Sequence, residues 1–220
     1  ERRDGETFRE FTHEKDYLPY VDGKPRYQGV QSFLQSRGIT IPFGESQDSP
    51  DTETACGLGN KKNIEFIRIL KEKGVEKYDS TVSLIHELKK AGIRTGVASS
   101  SKNCLYVLKA AGLEHLFESR VDGEVSSQKG YKGKPEPDIF IETARAIGAA
   151  PCEAVVVEDA VSGVQAGCRG QFGLVIGIAR ENNETALRQS GADIVINDFS
   201  GVDAEVLQRW FHETARKKYS

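Results

Sequence analysis

Three short stretches of this 220-residue chain carry residue types that could act on an anionic substrate. Ser99-Ser100-Ser101-Lys102-Asn103 ends a predicted strand that starts at Ile93, and Glu158-Asp159 directly follows Ala-Val-Val-Val at 154–157. Between them lies Gly133-Lys134-Pro135-Glu136-Pro137-Asp138. Hydroxyls at the start of a helix can hold an anion beside free backbone N–H groups. Ser and Asn are equally favoured as helix N-caps, so the same stretch could simply begin a helix. Lys134 has Gly on one side and Pro on the other, which aims a single charge, although a solvated loop lysine would look the same. Adjacent carboxylates at the mouth of a buried strand repel unless a cation or base separates them, and a hard divalent ion such as Mg²⁺ is their natural partner. Taken together, the three stretches suggest a Mg²⁺-dependent phosphate site in which Ser99 and Lys134 hold phosphoryl oxygens.

The elements around these stretches must bring them together. From residue 78 onward, helical and extended patterns alternate. A helix over 80–91 (Val82, Ile85, Leu88) stops at Gly92 and a strand over 93–99 follows. A helix over 103–111 stops at Gly112, and a short strand falls near 119–121. Pro137 opens a helix that runs to Ile147 and stops at Gly148. Strands over 154–157, 172–178 and 192–196 then alternate with helices over 160–167 and 184–190. A last amphipathic helix carries Leu207, Trp210, Phe211 and Thr214. This alternation predicts an α/β fold, a Rossmann-like parallel sheet with helices on both faces. The runs AVVV and LVIGI are continuously apolar, as strands covered on both sides require. Ligands of such sheets bind beyond the carboxyl ends of the strands, where the Ser99 and Glu158 stretches fall. The first 75 or so residues differ in texture. They hold many charges and aromatics, a loop-like stretch over 44–54, and helices over 27–37 and 61–73. In the second of these, Ile64, Ile67 and Leu70 recur at helical spacing and Gly74 marks the stop. The expected organisation is a small helical domain over 1–76 and an α/β domain over 77–220.

Composition narrows the function. Thirty Lys and Arg against 33 Asp and Glu give a net charge of −3, which offers no reason to expect a nucleic-acid or membrane-surface partner. No apolar run approaches the ~20 residues that span a bilayer, no signal peptide is recognised, and a cytoplasmic location and a monomer are expected. Cys56, Cys104, Cys152 and Cys168 form no C-x-x-C pair and have no His cluster nearby. They are expected to be free, mostly buried thiols without a nucleophilic role. The chain contains no Met and begins with Glu1, so a processed or truncated start is expected.

The order of SSSKN after a strand, then GKPEPD, then VVVEDAVSGVQAG resembles motifs two, three and four of the haloacid dehalogenase (HAD) superfamily. VDGKPRYQGVQSFLQSRGI over 21–39, followed by GLGNKKN over 57–63, is similar to the helical cap of its beta-phosphoglucomutase-like members. The resemblance implies a Mg²⁺-dependent phosphotransferase that acts on a sugar phosphate through an aspartyl-phosphate, with a sugar-phosphate phosphatase as the alternative. It implies that Ser99 touches the transferring phosphoryl and that Ser101, Lys102 and Asn103 line the same or a second phosphate pocket. Lys134 would be the motif-three cation and Asp159 the Mg²⁺ ligand, with Glu158 supporting the metal directly or through water. Arg26 would grip the non-reacting phosphate of the sugar, and Lys62 and Asn63 would reach the bound sugar.

The family's first motif, D-x-D-G at the end of a strand, has no counterpart among the 220 residues. Asp4-Gly5 follows no apolar run and is set aside as a decoy near the end of the first cap helix. In the family the missing strand lies between the strands that end at Ser99 and Val157. The sequence therefore predicts a slot about one strand wide between them, an inactive chain as it stands, and weak binding of phosphate and Mg²⁺. A non-catalytic HAD-like binding module is the reading favoured if those two strands pair directly. A dinucleotide oxidoreductase is excluded because no G-x-G-x-x-G follows a strand, and Gly163 and Gly167 fall inside a helix.

Overall fold

Glycines close the helices where the pattern predicts. Gly92 and Gly112 adopt φ of +74° and +68°, a left-handed conformation that glycine accepts without a Cβ penalty. The computed structural model describes residues 8–180 and 182–219, so Asp4-Gly5 lies outside the described residues. The chain divides into two compact units, Glu1–Ile67 and Arg68–Ser220.

In the first unit a π-turn over His13–Tyr17 runs into α1 (Leu18–Tyr20), and α2 (Arg26–Ser36) follows. Asp16 is buried and holds this entry in place. Its carboxylate accepts the Thr12 N–H at 2.8 Å and pairs with Arg37 at 2.7 Å. The Thr12 N–H and the Arg37 guanidinium keep the Asp16 carboxyl below the usual carboxylate range, against the opposing effect of burial. Helix α3 (Ala55–Lys73) starts six residues earlier than its apolar spacing suggests. Its buried residues are Ala55, Cys56, Gly57 and Gly59 at that early end, whereas Ile64 is 59% exposed. A Cβ on Gly57 would sit 2.2 Å from the Thr52 carbonyl oxygen, and one on Gly59 would sit 2.7 Å from the Tyr27 ring. Close packing therefore fixes a stretch whose glycines argue against a helix on propensity alone.

The second unit contains α4 (Asp79–Lys90), β1 (Gly96–Ala98), α5 (Cys104–Ala110), β2 (Ser119–Val121), α6 (Gly123–Lys129) and α7 (Asp138–Ala146). It continues through β3 (Val155–Glu158), α8 (Val161–Arg169), β4 (Leu174–Ile178), α9 (Glu184–Gln189), β5 (Ile194–Ile196) and α10 (Ala204–Tyr219). All pairings are parallel, and they form a β1-β2 sheet and a β3-β4-β5 sheet. Helices cover both faces of the larger sheet. Val156 and Val175 pack with Ile139, Phe140, Val164 and Leu187 from α7, α8 and α9. Leu174, Ile176 and Ile178 pack with Leu84, Leu88 and Leu207 from α4 and α10. The predicted α/β architecture is therefore present, with β1, β4 and β5 shorter than the strands predicted over 93–99, 172–178 and 192–196.

Strands β1 and β3 do not pair with each other. A cavity of about 470 Å³ is lined by Gly96 and Ala98 and by Val155, Val156 and Val157, with Leu84, Leu88 and Phe140 among its other walls. The two sheets have not closed against one another, in line with the expected slot. The contrast between β3 and β4 reflects this. All five residues of β4 are buried, whereas Val157 of β3 is 43% exposed despite an equally apolar sequence.

One expectation needs correction, and one helix was not expected. The thiols are free, but only Cys56 and Cys104 are buried, while Cys152 and Cys168 are exposed. Helix α6 has no counterpart in the sequence reading, because GEVSSQK lacks apolar periodicity. Asp122 initiates it by accepting the N–H groups of Glu124 and Val125, both at 3.0 Å, the usual function of an Asp N-cap.

Candidate active site

Lys134 and Glu158, 24 positions apart in the sequence, meet in a buried ion pair. Lys134 Nζ donates to Glu158 Oε2 at 2.7 Å, and the two side chains are 6% and 10% exposed. The ammonium also lies 5.0 Å from the centroid of the Phe140 ring, a cation–π contact that helps a desolvated charge. The surrounding loop is braced on both flanks. Asp138 Oδ2 accepts the Lys132 N–H at 3.0 Å, and Arg169 Nη1 donates to Glu136 Oε1 at 3.0 Å. Glu158 Oε1 accepts the Ala160 N–H at 3.3 Å, so both carboxylate oxygens are engaged. Burial pushes the Glu158 carboxyl above its usual range, the Lys134 ammonium pulls it down, and the charge of Asp159 raises it again.

Helix α8 reaches Glu158 through a glycine. A Cβ on Gly163 would lie 2.2 Å from both Cγ and Cδ of Glu158. Gly163→Ala is therefore expected to push the carboxylate away from Lys134 and to destabilise the protein by about 1–3 kcal/mol, the usual range for overpacking. Denaturant unfolding would check this, and parental stability would show that α8 can retreat without disturbing the pair.

The 99–103 stretch forms a series of local turns. The Ser99 N–H donates to the Val121 carbonyl at 3.0 Å. Ser99 Oγ accepts the Ser101 N–H, and Ser101 Oγ accepts the Asn103 N–H, both at 3.1 Å. Asn103 is the N-cap residue of α5. Behind the stretch lies Gly123, whose N–H donates to the Ser101 carbonyl at 3.2 Å. A Cβ there would sit 2.4 Å from the Ser100 carbonyl oxygen. Asp122, fully buried, pairs with Arg120. Among the described residues, Ser100 Oγ and Ser162 Oγ are buried hydroxyls without a hydrogen-bond partner. Burial raises the Cys104 thiol pKa, while Arg120 and Ser99 draw it down.

Asp159 follows β3 and its side chain is 53% exposed. It faces Arg180, whose Nη1 lies 3.4 Å from Asp159 Oδ2. Among the described residues no group of three or more His, Cys, Asp or Glu side chains is arranged around a common point. A caging metal site is therefore absent from them. The donors present fit a different binding mode, because Mg²⁺ commonly keeps several waters and takes one or two carboxylates together with substrate phosphate oxygens. Asp159 has the accessibility for this, while Glu158 is committed to Lys134.

In the first unit, Arg26 and Asn63 are brought together. Arg26 Nη2 donates to Asn63 Oδ1 at 2.8 Å. Lys62 lies on the same helix as Asn63 and is exposed. The sequence reading missed Arg180, Asp122 and Gly163. Arg180 and Asp122 each stand within two residues of the carboxyl end of a strand, the position that singled out Ser99 and Glu158.

Among the described residues no helix is long and apolar enough to cross a membrane. Comparison with known proteins identifies relatives across most of the chain. A beta-phosphoglucomutase of Mycobacterium bovis is 41% identical over 201 residues, which are 90% of this chain and 77% of that protein. Hexitol phosphatase A of Escherichia coli is 32% identical over 160 residues, 70% of this chain and 65% of its own length. The crystal structure of a beta-phosphoglucomutase from Clostridium difficile superposes with a TM-score of 0.71 at 21% identity, covering 88% of this chain and 79% of that one. The family description of haloacid dehalogenase-like hydrolases matches residues 5–169, and the chain belongs to that family.

Proposed function

We propose that this chain belongs to a Mg²⁺-dependent phosphotransferase that acts on a sugar phosphate, beta-phosphoglucomutase-like, through an aspartyl-phosphate. The observation that carries this reading is the buried Lys134–Glu158 pair beside the accessible Asp159, in a chain 41% identical to a protein named beta-phosphoglucomutase. Lys134 would place its ammonium against the reacting phosphoryl group, fixed by Glu158 and Phe140. Ser99 would donate its hydroxyl to a phosphoryl oxygen, and Ser101, Lys102 and Asn103 would line the phosphate pocket beside it. Asp159 would hold Mg²⁺, which when bound neutralises phosphoryl charge. Residues 1–76 would act as the cap, with Arg26, Lys62 and Asn63 binding the sugar phosphate, and 77–220 as the core. A second reading, a phosphatase, is favoured by the likeness to hexitol phosphatase A.

No D-x-D-G stretch occurs in these 220 residues, so the test uses residues 1–220 and the same chain extended by its upstream reading frame. Each is incubated with Mg²⁺ and β-glucose 1-phosphate and followed by phosphorus NMR. The expected result is glucose 6-phosphate without matching release of inorganic phosphate, from the extended form only. Stoichiometric inorganic phosphate would favour the phosphatase, and neither product from either form would remove both readings for this sugar phosphate.

A further inference from the structure

Arg180 lies just past the carboxyl end of β4, and the mechanism above gives it no function. Two independent contacts fix its guanidinium. One nitrogen is 3.4 Å from Asp159 Oδ2, and the guanidinium carbon stands 3.5 Å above the centroid of the Tyr78 ring. Such stacking suits the flat guanidinium and would be lost with lysine. Asn183 holds the backbone beside Asp159, because its Nδ2 donates to the Asp159 carbonyl at 3.1 Å. Arg180 is 26% exposed and Asp159 53%, so the pair is open to water and to exchange. Tyr78, the N-cap residue of α4, ends the 74–78 segment that joins α3 to α4.

We propose that Arg180 is a resident counter-cation for Asp159, seated on Tyr78, and that a divalent cation gains Asp159 by displacing it. This rests on the reading of Asp159 as a Mg²⁺ ligand. Two cations cannot share one exposed carboxylate oxygen without mutual repulsion, and a singly charged guanidinium in a water-open pair is the weaker occupant. Arg180 therefore sets the metal affinity and keeps the Asp159 carboxylate oriented until the metal arrives. Displacement also leaves the guanidinium on Tyr78 alone, so metal binding is felt at the 74–78 segment.

The test is calorimetric titration of Mg²⁺ alone into the protein and its variants, with hydrogen exchange of residues 74–78 as a second readout. Arg180→Gln, close in size and uncharged, is expected to bind Mg²⁺ about 3- to 10-fold more tightly, the effect of removing one competing charge. Arg180→Lys should keep much of the competition, and Asp159→Asn should abolish binding. Hydrogen exchange at 74–78 should change on Mg²⁺ addition in the parent and not in Arg180→Gln. A variant that is merely damaged would bind more weakly, so tightening is the discriminating sign. Equal or weaker binding by Arg180→Gln, with the parent binding normally, overturns the proposal alone. No Mg²⁺ binding by either overturns the metal reading beneath it.

Discussion

Lys134→Met is expected to destabilise the protein by about 3–5 kcal/mol at neutral pH, because it strands the Glu158 carboxylate in a buried site with its charge uncompensated. The ion pair itself need not be strongly stabilising, since desolvation of both groups offsets much of their attraction. The double variant Lys134→Met with Glu158→Gln should therefore recover most of the loss, as removal of both partners leaves no buried charge. The pH dependence has a definite sign. Burial holds the folded-state pKa of Glu158 above its ordinary value of 4.5, so the folded protein binds that proton more tightly than the unfolded chain. The stability this contributes is complete below pH 4.5 and is lost as pH rises through the folded value. Without Lys134 that folded value climbs further, so the deficit of the single variant should grow from mildly acidic to neutral pH and be absent from the double variant. Denaturant unfolding at several pH values measures this. A pH-independent deficit would mean that lost packing around Phe140, rather than a stranded charge, is responsible.

In the active polypeptide, Asp159→Ala should abolish Mg²⁺-dependent turnover of every phosphate ester, because it would remove the metal carboxylate from the reacting centre. Arg26→Ala should instead lower kcat/KM for a sugar phosphate by about 10- to 100-fold, the value of one charge-assisted contact to a phosphate. It should leave a small ester such as p-nitrophenyl phosphate nearly untouched. The guanidinium is already oriented by Asn63, and binding energy from a remote substrate group can be used to favour the transition state. Asn63→Ala should show a fainter version of the same selectivity. Parallel kinetics on both esters decide the matter, and equal losses for Arg26→Ala would remove its assignment to the remote phosphate.

The sequence shows the order of elements because burial on both faces writes continuous apolar runs, and glycine stops mark the helix ends. Lys134 and Glu158 stand out by their positions, yet their pairing depends on how the 132–138 loop packs over β3, which no local pattern encodes. Arg180 stands just past the carboxyl end of β4, the same kind of position that marks Ser99, so it is legible by the same rule. Gly163 is different. Its importance lies in a missing side chain facing Glu158, and a residue that matters by leaving room gives no chemical signal. The start of helix α3 is hidden for the same reason, since Gly57 and Gly59 argue against a helix until the Thr52 carbonyl and the Tyr27 ring fill the space they leave.

The cavity between β1 and β3 also bears on cooperativity. With no backbone ladder joining the β1-β2 and β3-β4-β5 sheets, mechanical continuity between them passes through side chains, and α7 is well placed to carry it. It packs against β1 and β2, where the methyl of Thr143 would meet any side chain placed at Gly96. Its Phe140 contacts Phe172 edge-on at 6.1 Å just before β4. Helix α7 thus links the two sheets through side chains, and weakening its apolar face is expected to lower the cooperativity with which the unit Arg68–Ser220 unfolds.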